Sequence, residues 1–242
     1  MIQTIELKKA YNKTIVLDLP DFKIETGEVF GLVGNNGAGK TTFFSLVLDL
    51  IRASKGKVLI HNIEVAKSED WKEITGAYID ESFTIGYLTP DEYFGFIGEL
   101  RGLNANDVSA FLDNFNDFFN DEIRGEKKFI RDLSKGNQKK VGVVGALMGQ
   151  PEVVILDEPF ANLDPSSQFK LRKIIKSFAM EKSKTFLISS HNLDNITDVC
   201  ERIAVLEKGK IVKDVQKTET TLSELEEFFT GVKKEESFTD GL

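Results

Sequence analysis

The segment Gly34-Asn35-Asn36-Gly37-Ala38-Gly39-Lys40-Thr41 constrains this chain more than any other, because it matches the phosphate-binding pattern G-x-x-x-x-G-K-[ST] in a setting that suits it. Before it runs Val29-Phe30-Gly31-Leu32-Val33, a compact apolar stretch that reads as a buried strand. After it, between Thr41 and Arg52, Phe44, Leu46, Val47, Leu48 and Ile51 recur at helical spacing. Strand, glycine loop and helix in that order aim successive backbone N–H groups and a helix N-terminus at one anion. Lys40 would then reach the terminal phosphates, and the Thr41 hydroxyl would offer a ligand to Mg2+.

The remaining apolar runs fit that start. Val153 to Leu156, Thr185 to Ser189 and Ile203 to Leu206 are short and buried in style, with a helical stretch from Phe169 to Phe178 between the first two. Val58-Leu59-Ile60 reads as one more strand. The pattern is α/β with a parallel sheet. Residues 1 to 30 alternate instead (Ile2, Ile5, Leu7; Ile15, Leu17, Leu19; Phe22, Ile24), with breaks at Asn12-Lys13 and Pro20-Asp21, which predicts a small antiparallel sheet. Between about residues 83 and 130 the chain turns aromatic and acidic. There Phe111, Phe115, Phe118 and Phe119 fall on one face of an amphipathic helix, expected to be a core stripe. Thr221-Leu222-Ser223-Glu224 reads as a capping box opening a helix to Phe229, ahead of an acidic, frayed tail.

Composition narrows the partners. With 31 basic against 39 acidic residues the formal charge is −8, which argues against nucleic acid, since phosphate neutralisation needs an excess of Lys and Arg. Two histidines and one cysteine cannot build a four-ligand Cys/His zinc site, so any metal should be held by oxygen. Cys200 is expected to be a buried small hydrophobe, and His61 is given no role. No apolar run approaches the ~18 residues of a spanning helix. The N-terminus lacks the basic-then-apolar layout of a secretion signal, so a cytoplasmic place is expected.

Two further segments carry chemistry. Val153 to Leu156 ends in Asp157-Glu158-Pro159, and the C-terminal edge of a parallel sheet is where ligands bind. Asp157 can hold Mg2+, and Glu158 can orient and polarise the water that attacks a terminal phosphate. Leu133-Ser134-Lys135-Gly136-Asn137-Gln138, ahead of a helix expected to begin near Lys139, is a second anion site in form.

In this order the motifs resemble those of the ATP-binding cassette (ABC) ATPases, the nucleotide-binding subunits of membrane transporters. The likeness covers residues 1 to about 215. Gly34 to Thr41 is similar to the family's first nucleotide motif, Leu133 to Asn137 to its signature, and Val153 to Glu158 to its second nucleotide motif. Asn162-Leu163-Asp164 resembles the loop that communicates across a dimer, His191 after Ser189-Ser190 the switch histidine, and Tyr11 the aromatic that stacks on adenine.

The resemblance implies a P-loop NTPase core with a mostly parallel sheet (1–82 and 136–220), including an N-terminal antiparallel β subdomain. A helical insertion (83–135) and a C-terminal helix and tail (221–242) complete a single ABC ATPase domain. It implies ATP and Mg2+ as ligands. Glu158 and His191 would be catalytic; Tyr11, Gly34, Asn35, Asn36, Gly37, Ala38, Gly39, Lys40, Thr41, Thr42, Ser134, Gly136 and Asp164 would contact nucleotide; Thr41, Asp157 and Asp80 would serve the metal. It also implies an ATP-dependent homodimer, or a pair with another cassette, in which each nucleotide is held by the phosphate loop of one copy and by Ser134 and Gly136 of the other. A membrane permease would dock on the aromatic start of the insertion, at Phe83, Tyr87, Tyr93, Phe94 and Phe96, placing the chain peripherally on the inner face of the membrane. That aromatic start and the Leu222 to Phe229 helix resemble cassettes of exporter-type systems; the rival is a soluble, non-transport ATPase acting on a protein partner or in cluster assembly. Two departures stand out: Lys135 and Asn137 replace the signature's usual glycine and glutamine, and Asp80 stands where the family keeps a glutamine in the loop entering the insertion.

Overall fold

In the computed structural model, which describes residues 1–231, the chain opens with a hairpin: β1 (Ile2–Tyr11) pairs antiparallel with β2 (Thr14–Ile24). Asn12 and Lys13, both at positive φ, form its turn, as the sequence predicts. The predicted break at Pro20-Asp21 does not occur, because β2 is the outer strand of its sheet and a proline there removes no ladder bond. β3 (Val29–Val33) is buried throughout and runs into the glycine loop and α1 (Lys40–Val47). The helix is shorter than its periodicity suggests: Asp49 takes a left-handed conformation and turns the chain out. β4 (Lys55–Ile60) returns to pair antiparallel with β1, and β5 (Ile63–Glu64) closes a sheet of order β2-β1-β4-β5.

β6 (Thr75–Tyr78) then leads into α2 (Pro90–Leu100), α3 (Ala105–Asp113) and α4 (Asn116–Phe119). The single aromatic helix expected through Phe119 is two helices. Asn114 donates its amide to the carbonyls of Ala110 and Phe111 and so competes with the helical ladder where α3 stops. Phe115, Phe118 and Phe119 are nevertheless buried, as the core reading expects.

α5 (Lys135–Leu147) begins at Lys135, a turn earlier than predicted, because Ser134 accepts from the Asn137 N–H and caps it there. β7 (Val153–Leu156), α6 (Pro165–Ala179), β8 (Thr185–Ser190), α7 (Leu193–Val199), β9 (Arg202–Glu207) and β10 (Lys210–Gln216) follow. α8 (Thr221–Thr230) ends the described chain. The capping box predicted at Thr221 is not formed: Thr221 lies inside the helix, its hydroxyl accepting from the Thr218 N–H, and Thr220 occupies the cap position. The predicted tail after residue 231 falls outside the described residues.

The second sheet has order β10-β9-β3-β8-β7-β6, parallel except for the β9–β10 pair. It is covered on both faces. Along β7, Val154 and Leu156 join a cluster with Phe94, Phe115 and Val144, whereas Val153 and Ile155 join one with Phe30, Phe43 and Leu187. That two-sided burial is why these strands read as unbroken apolar runs. Cys200 is part of the core, where desolvation pushes its thiol pKa up. The fold is thus the expected α/β architecture, with an antiparallel N-terminal sheet beside a mostly parallel one.

Candidate functional site

The parallel register assembles the site. Val33 pairs with Ser190 and Leu156 with Ile188, so the loops leaving β3, β7 and β8 emerge side by side at one sheet edge. The glycine loop fits tightly there: a Cβ on Gly34 would lie 2.4 Å from the Leu206 carbonyl oxygen, and Gly39, which precedes α1, has φ 111°. Lys40 is buried, donates to the Gly34 carbonyl at 2.6 Å and faces Glu158 Oε1 at 3.4 Å. A cavity of about 270 Å³ opens over this loop, lined by Tyr11, Val16, residues 35–42 and Glu158. Tyr11 is 49% exposed at its mouth, with Lys9 Nζ 4.7 Å from the ring centroid.

Asp157 is only 4% exposed and accepts from the Thr41 hydroxyl at 2.5 Å and from the Ser189 hydroxyl. Burial raises its carboxyl above the usual carboxylate range, and the two hydroxyls work against that rise. Glu158 stands at φ 46°, a backbone conformation uncommon for a non-glycine residue. Its N–H donates to Ser189 Oγ at 2.9 Å, and its Oε2 lies 2.8 Å from His191 Nδ1. Its Oε1 is buried without a hydrogen bond among the described residues. A carboxylate oxygen so placed can accept from a donor arriving in the cavity.

The other predicted residues form a second group. Ser134 and Gly136 open α5, and a Cβ on Gly136 would sit 2.9 Å from the Asn162 carbonyl oxygen, so the 134–136 and 162–164 segments touch. Asp164 caps α6 through the Ser167 N–H and hydroxyl, and those bonds hold its carboxyl well below the usual range. Neither Ser134, Gly136 nor Asp164 lines the cavity over Lys40. Asp80 follows β6, next to β7, where the Asp157 N–H donates to the Tyr78 carbonyl. Its Oδ1 is engaged in its own turn, accepting from the Ser82 N–H and hydroxyl, and Lys135 pairs with neighbouring Glu81 at 3.5 Å.

Val16, Ser189 and Lys139 join the site without a sequence motif to mark them. Ser189 binds both Asp157 and the Glu158 N–H, and Lys139 donates to the Glu158 carbonyl at 2.6 Å. The signal for Ser189 was its place beside His191 at a strand end.

Among the described residues no three His, Cys, Asp or Glu side chains gather as a metal cluster. Thr41 and Asp157 are an oxygen-only pair, a donor set that fits a hard cation such as Mg2+ completed by phosphate oxygens.

A family model described as ABC transporter matches residues 17–161. An uncharacterised ABC transporter ATP-binding protein of Synechocystis is 32% identical over 220 residues, 88% of this chain and 62% of its own length, so this chain spans less than two thirds of that relative. A bacitracin transport ATP-binding protein of Bacillus licheniformis is 30% identical over 223 residues, covering 89% of this chain and 69% of the relative. Among solved structures, a dimeric ATP-binding cassette in a post-hydrolysis state with ADP and Pi superposes with a TM-score of 0.79 at 22% identity, over 90% of this chain and 99% of that one. With these motifs in order on this fold, the chain belongs to the ABC transporter family.

Proposed function

We propose that the chain is an ATP-hydrolysing subunit that pairs face to face around ATP and drives a separate membrane permease of exporter type. The observation that carries hydrolysis is that Lys40, Thr41 and Glu158 line one cavity, with Asp157 bonded to Thr41 and His191 to Glu158 behind them. The loop N–H groups and Lys40, released from Gly34 and Glu158, receive the phosphates. Tyr11 offers its ring to the base. Thr41 and Asp157 would hold Mg2+, which when bound offsets charge on the phosphate oxygens, whereas Asp80, one strand over, is engaged in its own turn with Ser82. Glu158, its Oε2 fixed by His191, presents Oε1 to the attacking water and takes its proton. His191, held against Glu158 through Nδ1, would donate to the terminal phosphate in this reading.

Pairing is supported by the absence of Ser134, Gly136 and Asp164 from the lining of their own cavity: a second copy, turned face to face, would bring them to it. A site divided between chains has a clear test. Lys40→Ala and Ser134→Arg should each be inactive, whereas mixing them leaves one intact composite site per heterodimer and restores part of the activity. Heterodimers that form without recovering activity would contradict the divided site.

Delivery of work to a permease is supported by the surface of the insertion. Tyr87 is 71% exposed, Ile85 and Phe96 are exposed within ten residues of it, and exposed Phe129 is brought near by the Ile130 N–H, which donates to the Leu88 carbonyl. Arg131 stacks on Tyr87 at 4.3 Å and faces Phe129 at 5.5 Å, which holds an aromatic pair outward. Tyr93 and Phe94, expected on the same surface, are buried in the core, and Phe83 is half-buried against it. No helix among the described residues is long and apolar enough to cross a membrane. The likeness to a bacitracin transport ATP-binding protein supports a role in transport.

A further inference from the structure

Glu158 is held unusually firmly by groups outside the motifs that announce it. Its backbone is in the left-handed region at φ 46°, where an L residue stays only if its surroundings over-determine it. The N–H is tied to Ser189 on β8, and the carbonyl accepts from the Ala161 N–H at 3.2 Å and from Lys139 Nζ at 2.6 Å. Lys139 is 6% exposed, and its ammonium lies 5.8 Å from the Tyr78 ring centroid. An ammonium so enclosed has few places to go, and the bond it makes is charge-assisted. Burial lowers its pKa, while Glu81, Glu158 and Asp157 act the other way.

We propose that Lys139 is a positioning residue for Glu158: from α5 it fixes the carbonyl, and with it the backbone that aims the carboxylate at the attacking water. The bond has a second consequence, which rests on the paired reading given above. Ser134, the cap of α5, and Gly136, in its first turn, would serve the nucleotide held by the partner, whereas Lys139, one turn further on, serves Glu158 of its own chain. α5 is therefore a strut between the two nucleotide sites, and displacement of its first turn reaches the carboxylate through one side chain.

The test compares Lys139→Met, close in length but without donor or charge, with Lys139→Arg, which keeps both. Lys139→Met should lower kcat about tenfold or more while KM for ATP stays within about threefold, since a misaimed base is felt in turnover and not in binding. Lys139→Arg should regain most of the loss. Unchanged kcat in Lys139→Met, no recovery in Lys139→Arg, or a loss of ATP affinity together with thermal stability would each overturn the proposal. The direction of action is read in the mixture of Ser134→Arg and Lys40→Ala chains, where the surviving site takes Glu158 from the Ser134→Arg chain. Lys139→Met should damage the mixture when placed on that chain and not when placed on the other; the reverse would mean that Lys139 acts on the partner's nucleotide. If the unmodified mixture shows no activity, the pairing fails, and the kcat split alone still decides the role of Lys139.

Discussion

Asp157 sets chemistry against folding. It must be ionised to hold a cation, yet burial raises its carboxyl pKa above the ordinary range. A carboxyl raised in the folded chain binds its proton more tightly folded than unfolded, so the stability it lends is full below the unfolded pKa and is lost as pH rises through the folded one. Asp157→Asn removes the charge at nearly constant shape. In buffer free of metal and nucleotide it should melt above the parent at neutral pH, with the gap closing as the pH falls toward ~4. A variant that melts lower at every pH would show that the Thr41 and Ser189 hydroxyls and Lys40 more than offset desolvation. At this scale Lys40, Thr41, Asp157, Glu158 and His191 were legible because each sits at the end of an apolar run or within a glycine pattern. Ser189 and Lys139 were not, since they meet Asp157 and Glu158 from 32 and 19 residues away, and spacing along one chain does not encode that register.

Elements were legible where burial is two-sided and obscured where a side chain intervenes. β3, β7, β8 and β9 follow their apolar runs, whereas Pro20, Asn114 and Ser134 each moved a boundary through a local hydrogen-bonding effect that periodicity does not register. β6 was missed because Thr75-Gly76-Ala77-Tyr78 is rich in small residues, and the reason for them is spatial. A Cβ on Gly76 would lie 1.9 Å from the Ala146 carbonyl oxygen on α5. Gly76→Ala must push β6 and α5 apart, at the ~1–3 kcal/mol typical of overpacking, and so lower Tm by about 5 °C. Because α5 carries Lys139 and is capped by Ser134, hydrolysis should fall as well. An unchanged Tm, checked by calorimetry, would mean that this contact yields freely.

For the whole molecule, the proposed engine and the proposed docking surface are separable. Tyr87 lies on the insertion and not on the cavity over Lys40, so Tyr87→Glu should release the protein from membranes containing its permease while its own hydrolysis is unaltered. Loss of one such anchor typically costs ~2 kcal/mol of binding. Circular dichroism and fractionation of gently lysed cells check both halves, and a variant that stays membrane-bound would move the docking surface elsewhere. Closure of two chains around ATP, reopened through hydrolysis by Glu158, is tested by size-exclusion chromatography of Glu158→Gln with and without Mg·ATP. A dimer that appears only with ATP and persists is expected, with turnover at least ~100-fold below the parent, the usual worth of a positioned base. A Glu158→Gln chain that remains monomeric in ATP while hydrolysing it at the parent rate would contradict it.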